Sequence, residues 1–221
     1  MPFAPKGPRL VVCEGKTDRK MFDKLFAARN LRGFESASPN QETNLGGGWT
    51  QFGRYLNALS VPESFRKSVK LVIVAADNDD ANSFANTCDQ VEQAGYTRPA
   101  NPRRIVKTDG KPDLAILMIP DTPPGCLETL CYSAACEKWP EIQQPLETYI
   151  AQSAAGTWGA VKKAKALVEC VLASTCAPKP EIALHDHWQQ PDQFHIPVTG
   201  AAFDSVADFL RSESVASYAE Q

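Results

Sequence analysis

Three carboxylates in this chain stand directly after strongly apolar runs. Glu14 follows Arg9–Cys13 and precedes Gly15. Asp77 and Asp79 follow Val69–Ala76 within Asp77-Asn78-Asp79-Asp80. Acids delivered from two strand ends to one sheet edge can hold a hard divalent cation, because Mg²⁺ prefers oxygen ligands. A polar turn that only caps the next helix is the ordinary alternative for residues 77–80 taken alone. Glu14-Gly15 on a second strand end favours the metal reading.

The elements that must position these acids follow from hydrophobic pattern. Arg9–Cys13 predicts a first strand and Thr17 to about Leu31 a helix, with Met21, Phe22, Leu25, Phe26 and Ala28 on one face and Thr17 as its N-cap. A short weak strand is expected within residues 33–45. Gly46-Gly47-Gly48 breaks the chain before a helix over Trp49–Leu59. Val69–Ala76 is rich in β-branched residues and continuously apolar from Leu71 on, as expected of a parallel strand covered on both faces. A helix from about Ala81 to Gln93, a proline-rich basic loop or ragged edge over 98–112, a strand Asp113–Ile119 and a helix from Cys126 to about Glu137 follow. Alternating strands and helices imply a mainly parallel sheet with right-handed crossovers, an α/β fold in three layers. After Trp139 only helices are expected, over Leu146–Gln152, Gly159–Ser174 and Phe203–Leu210. The expected organisation is an α/β domain over residues 8–138 and a helical extension over 139–221 packed on it.

Val11-Val12-Cys13-Glu14-Gly15-Lys16-Thr17-Asp18 resembles the first motif of the Toprim fold, a hydrophobic strand followed by Glu-Gly-x-x-Asp. Val72–Ala76 with Asp77-Asn78-Asp79 resembles the second, a strand followed by Asp-x-Asp. The chain is most similar to small stand-alone prokaryotic Toprim proteins related to OLD-type nucleases. That resemblance implies Mg²⁺-dependent phosphodiester chemistry on DNA or RNA, most simply as a nuclease, with Mn²⁺ as a substitute ion. It implies Glu14, Asp77 and Asp79 as metal ligands, with Glu14 bridging metals or acting as general base. It further implies that Glu128, in Pro124-Gly125-Cys126-Leu127-Glu128, helps hold a second metal, with Asp121 nearby. A catalytic lysine is implied among Lys162, Lys163 and Lys165, with Lys165 favoured and Lys163 next. OLD-type proteins couple this domain to an ATPase. This chain has no Walker A motif, so a partner in trans is expected, as in phage defence or nucleic-acid repair. A non-catalytic metal- or nucleic-acid-binding module is the alternative. A primase-like nucleotidyl transferase is disfavoured by the lack of a zinc-binding module.

The residue types suit the chemistry. Phosphodiester cleavage needs charge neutralised at the phosphate and an activated water, which two metal ions can supply. A lysine near the phosphate adds a point charge. Lys16 is expected to contact a phosphate. The stretch 98–111 sets Arg98, Arg103, Arg104, Lys107 and Lys111 against Asp109 alone; Arg103 and Arg104 are the expected backbone-guiding residues, with a solvated loop as the alternative. Gly46-Gly47-Gly48 lacks the ending of a P-loop and reads as a flexible turn. An Asp-x-Asp of the haloacid-dehalogenase kind would lie on the first strand. His185, His187 and His195 read as polar structure.

Composition narrows the classes. Over 221 residues, 43% hydrophobic and 22% charged residues describe a folded chain. The longest apolar runs, Leu71–Ala76 and Leu114–Ile119, are far short of the roughly 20 residues of a membrane span. Residues 1–9 carry three prolines and no apolar core, unlike a secretory signal. Seven cysteines without Cys-x-x-Cys spacing predict reduced thiols in a cytoplasm rather than a disulfide framework. A net charge of −3 disfavours a non-specific coat on nucleic acid and suits clustered carboxylates.

Overall fold

The computed structural model describes residues 5, 7–39 and 47–219. Four strands form one sheet: β1 Arg9–Cys13, β2 Phe34–Ala37, β3 Leu71–Asp77 and β4 Asp113–Ile119. Their order is β2-β1-β3-β4 and every pair is parallel. Helices cover both faces, so the fold is three-layered α/β. The weak strand expected within 33–45 is β2; residues 40–45 of that span, and Gly46 after it, lie outside the described residues.

The period-2 alternation of the strands sorts two cores. Val11, Cys13, Leu71, Ile73, Ala75, Ala115, Leu117 and Ile119 face one side. There they meet α1 (Lys16–Ala28), α5 (Leu127–Lys138) and α7 (Ala160–Thr175), together with α8 (Leu184–His187) and α9 (Asp204–Arg211). Leu10, Val12, Val72, Val74, Ala76, Leu114, Ile116 and Met118 face the other, against α2 (Phe52–Leu59), α3 (Glu63–Ser68) and α4 (Ser83–Gln93). The helices after residue 138 therefore share their core with α1 and α5. No helix among the described residues is long and apolar enough to cross a membrane.

Several boundaries depart from expectation. Helix α1 begins at Lys16 with Gly15 as N-cap, which puts Thr17 inside the first turn. Helix α6 (Pro140–Gln152) starts six residues before the expected Leu146. Pro140 fits the first turn, where its missing N–H costs nothing, but Pro145 sits inside the helix and hides the upstream half from a propensity reading. Helices α3 and α8 are six and four residues long, too short for a period to register. The basic stretch before β4, expected as a loop or a ragged edge, forms the edge: Val106 pairs antiparallel with Leu114 beside β4.

A candidate metal centre at the switch point of the sheet

Register fixes where the acids emerge. Cys13 lies opposite Ala75, so Glu14 leaves β1 beside the end of β3, and Asp77 lies opposite Ile119. β1 leads outward to β2 through α1 on one face, while β3 is reached through α2 and α3 on the other. The strand order thus reverses between β1 and β3, the crevice in which open α/β sheets bind ligands. Glu14 and Asp77 flank it.

Backbone bonds lock the crevice together. The Asp77 N–H donates to Glu14 Oε1 at 2.9 Å, and the Leu127 N–H donates to Asp77 Oδ1 at 2.9 Å. The Gly48 N–H donates to the Glu14 carbonyl at 3.0 Å. Asn78 is buried and clamps the exit of β4. Its backbone N–H donates to the Ile119 carbonyl at 2.8 Å, and its side-chain amide donates to the carbonyls of Pro120 and Asp121 at 3.0 and 3.3 Å. In return the Gly125 N–H donates to the Asn78 carbonyl at 2.9 Å. A Cβ at Gly125 would meet Pro120 ring carbons at 2.5 Å, so the return of the chain into α5 requires glycine. These bonds seat Cys126 as the N-cap of α5 and Glu128 in its first turn.

The resulting cavity, about 220 Å³, is lined by Glu14, Asp18, Asp77, Glu128 and Lys165 with Gly15, Thr17, Gly48 and Leu127. Ligand atoms of Asp77, Glu128 and Cys126 lie within 4.8 Å of one another. Burial and its carboxylate neighbours, Asp77 first, push Glu14 up to about 7. Burial with the Glu14 charge pushes Asp18 up to about 7. Asp77 rises to about 8 through burial and Asp18, against the bond from Leu127. Burial would lower Lys165, but Glu128, Asp77 and Asp79 outweigh it and hold the ammonium above its usual value. The N-termini of α1 and α5 both open here and offset part of this like-charge crowding.

This donor set fits a hard cation. Burial and Glu128 push the Cys126 thiol up to about 12, so it stays protonated beside Thr129 and leaves oxygens as the donors. Glu14 has one oxygen engaged by the Asp77 amide and a second left for a cation.

The other expected residues fall as follows. Asp79 is exposed and does not line this cavity; it lines a smaller adjoining one that shares Asp77. Partial burial raises its carboxyl against the pull of Lys165. The helix-start turn is served by Asp80, whose Oδ1 accepts the Asn82 N–H at 2.7 Å and whose own N–H donates to Ser83 Oγ at 3.1 Å. Lys165 projects from α7 onto the cavity. Lys163, two positions away and therefore about 200° around the helix, is not among the lining residues. Lys16 pairs with Asp186 at 3.6 Å, turned from the cavity. The Arg103 guanidinium is held by Asp121 and by Ser205 Oγ, so it clasps the β4–α5 loop to α9. The same bond takes Asp121 out of the metal group. Arg104 is exposed and does not line the cavity. Arg98 pairs with Asp89 and Glu92, and Lys111 donates to the Ala94 carbonyl, so the basic stretch spends most of its charge locally.

Asp18 was the residue missed as a ligand candidate. Its place in Glu-Gly-x-x-Asp marks it, yet a first-turn acid three residues after an N-cap also reads as a capping residue. It does both, accepting from the Gly15 amide while facing Glu14 and Glu128.

The family model described as protein of unknown function, DUF3226, matches residues 8–190. The chain belongs to the DUF3226 family. The match takes in every cavity-lining residue of this DUF3226 chain, Lys165 included. No curated protein matches it. Among solved structures, it is similar to the C-terminal region of the OLD protein of Xanthomonas campestris pv. campestris, at 15% identity over 95% of this chain and 94% of that one, with a TM-score of 0.39.

Proposed function

We propose that this chain carries out Mg²⁺-dependent phosphodiester hydrolysis on nucleic acid, as a Toprim-type nuclease. The observation that carries the reading is the convergence of Glu14, Asp18, Asp77 and Glu128 with one lysine, Lys165, on a single cavity at the switch point. A surplus of half-buried carboxylates with one ammonium at the rim suits cations and a phosphate together.

Asp77 and Glu128, with Glu14 and Asp79, are the residues that would hold Mg²⁺ or Mn²⁺. When bound, such ions neutralise phosphate charge and lower the pKa of a coordinated water. Glu14 keeps one oxygen bonded to the Asp77 amide, which fixes the orientation of the other toward the cavity. Lys165 places positive charge where the phosphate gains negative charge in the transition state. Asp18 holds the turn that carries Glu14.

The test is incubation with plasmid DNA, single-stranded DNA and RNA in Mg²⁺ or Mn²⁺, beside Glu14→Gln. Metal-dependent cleavage lost in the variant is the expected result. Metal-dependent binding without cleavage would instead favour a regulatory module working with a protein partner, such as an ATPase.

A further inference from the structure

Next to the acidic cavity runs a wider groove of about 670 Å³. Its lining includes Asp79, Pro124, Trp158, Ala160, Val161 and Lys162. The two are linked through a small cavity between them, which shares Asp79 with the groove and Asp77 with the acidic cavity. Trp158 is 45% exposed, one of four large apolar side chains left exposed among the described residues. Its backbone is pinned where α7 begins, with the Trp158 N–H donating to the Ala155 carbonyl at 3.0 Å. Lys162 and Lys165 are three positions apart on α7 and so share a helix face. One borders the groove and the other the acidic cavity.

A half-exposed indole lining a groove with Pro124, Ala160 and Val161, with the ammonium of Lys162 at the groove and that of Lys165 at the acidic cavity, has the chemistry of a base-stacking platform. We propose that this groove takes an unstacked nucleobase of a single-stranded nucleic acid whose backbone crosses Lys162 and Lys165 into the acidic cavity. The inference rests on the metal-dependent phosphodiester reading of that cavity and adds its substrate class. Charge complementarity argues for the occupant: the lysines suit phosphates, and the apolar lining suits a base. A base inside a duplex has both faces covered and cannot reach the ring without being extruded. Stacking on an aromatic ring accepts any base, so the groove selects strandedness rather than sequence.

The test measures anisotropy of labelled 12-mers with the full chain in Ca²⁺. The probes are single-stranded DNA, single-stranded RNA, duplex DNA and an all-abasic strand, against wild type, Trp158→Ala and Trp158→Phe. Wild type is expected to prefer a single strand over the duplex. Trp158→Ala is expected to weaken single-strand binding at least about tenfold, within the range of one base–aromatic stack. Trp158→Phe should recover most of that loss, and the abasic strand should bind wild type and Trp158→Ala alike. The DNA and RNA arms show which sugar is taken. Equal losses on the abasic and natural strands, no loss at all, or a preference for duplex would overturn the inference. Mn²⁺ titration of the same wild type separates the two readings. Mn²⁺ binding with strands indifferent to Trp158 removes only the groove. Failure to bind Mn²⁺ removes the metal centre and the groove with it.

Discussion

At the carboxyl edge of the sheet, Glu14, Asp18, Asp77 and Glu128 crowd one cavity. In the C-terminal part, His187 and His195 pack ring to ring at 5.6 Å and are almost wholly buried. Both clusters withdraw ionisable groups from water, yet they settle their charge differently. His187 Nε2 accepts the Ile196 N–H at 2.6 Å, so that nitrogen must be unprotonated. Burial, with the nearby His195 and Lys138, lowers His187 to about 4. His195 bonds the Gln190 carbonyl and lies 3.0 Å from Asp192, which also meets Lys24. That cluster has no surplus of negative charge: Asp192 meets Lys24, and Lys138 donates to the His195 carbonyl at 2.8 Å, while the buried His187 Nδ1 has no hydrogen-bond partner. The acidic one keeps negative charge that a single lysine cannot balance. A buried titratable group is thus not by itself a sign of function; the unbalanced charge is.

The largest effect should come from the lysine that partly balances the acids. Lys165→Ala should lower turnover by about 10²–10³-fold, as when one charge-stabilising donor is removed. Its affinity for nucleic acid should change less than about tenfold, or roughly 1.4 kcal/mol. Steady-state kinetics beside equilibrium binding checks this split, and a loss confined to binding would place Lys165 outside the chemistry.

The histidine cluster should respond in stability instead. His187→Ala opens a cavity and orphans the Ile196 N–H, at a cost of about 2–4 kcal/mol in urea melts. Mn²⁺ binding should be unchanged. In the wild type, the folded His187 value lies below the unfolded value near 6.5. Its contribution is therefore fully present above about pH 6.5 and is lost as pH falls toward 4. The difference between wild type and His187→Ala should shrink over that window; a constant difference would mean that His187 does not titrate as its surroundings require.

Asp77→Asn should have the opposite sign. Asn keeps the oxygen that accepts the Leu127 N–H but removes a charge crowded by Asp18 and Glu128. Without metal, the variant should be more stable by about 1 kcal/mol, a rise of about 2–4 °C in Tm for a chain of this size. With Mn²⁺ the order should reverse, because only wild type gains binding energy. A variant that melts lower without metal would make Asp77 a structural residue.

The smallest effect is expected at Lys16. Its 3.6 Å pair with Asp186 is exposed on both sides. Lys16→Ala should stay within about 0.5 kcal/mol of wild type in melts and leave turnover nearly unchanged. A loss approaching that of Lys165→Ala would return Lys16 to the phosphate.

Local pattern alone determined a good deal of this protein. Continuous apolar runs at 10–13, 71–76 and 114–119 mark buried parallel strands because both faces of such strands need apolar cover. An acid immediately after such a run must emerge at the carboxyl edge, so Glu14 and Asp77 were legible as a pair, whereas Glu128, nine residues beyond Ile119, was reached only through the OLD-type resemblance. What no local pattern carries is the strand order, which puts β1 beside β3 and so makes Glu14 and Asp77 neighbours across the switch point. Charge partners are equally invisible along the chain. Arg103 reads as a free cation until the fold brings Asp121 and Ser205 to it, and Lys16 until Asp186 arrives from 170 residues away. The resemblance favoured Lys165 over Lys163, but what turns Lys165 onto the cavity is the rotation of α7 against α5, since packing decides which side of a helix faces the acids. Asp18 shows the limit from the other side: its capping role was local and readable, but its place among the half-buried acids exists only once α1 and α5 converge.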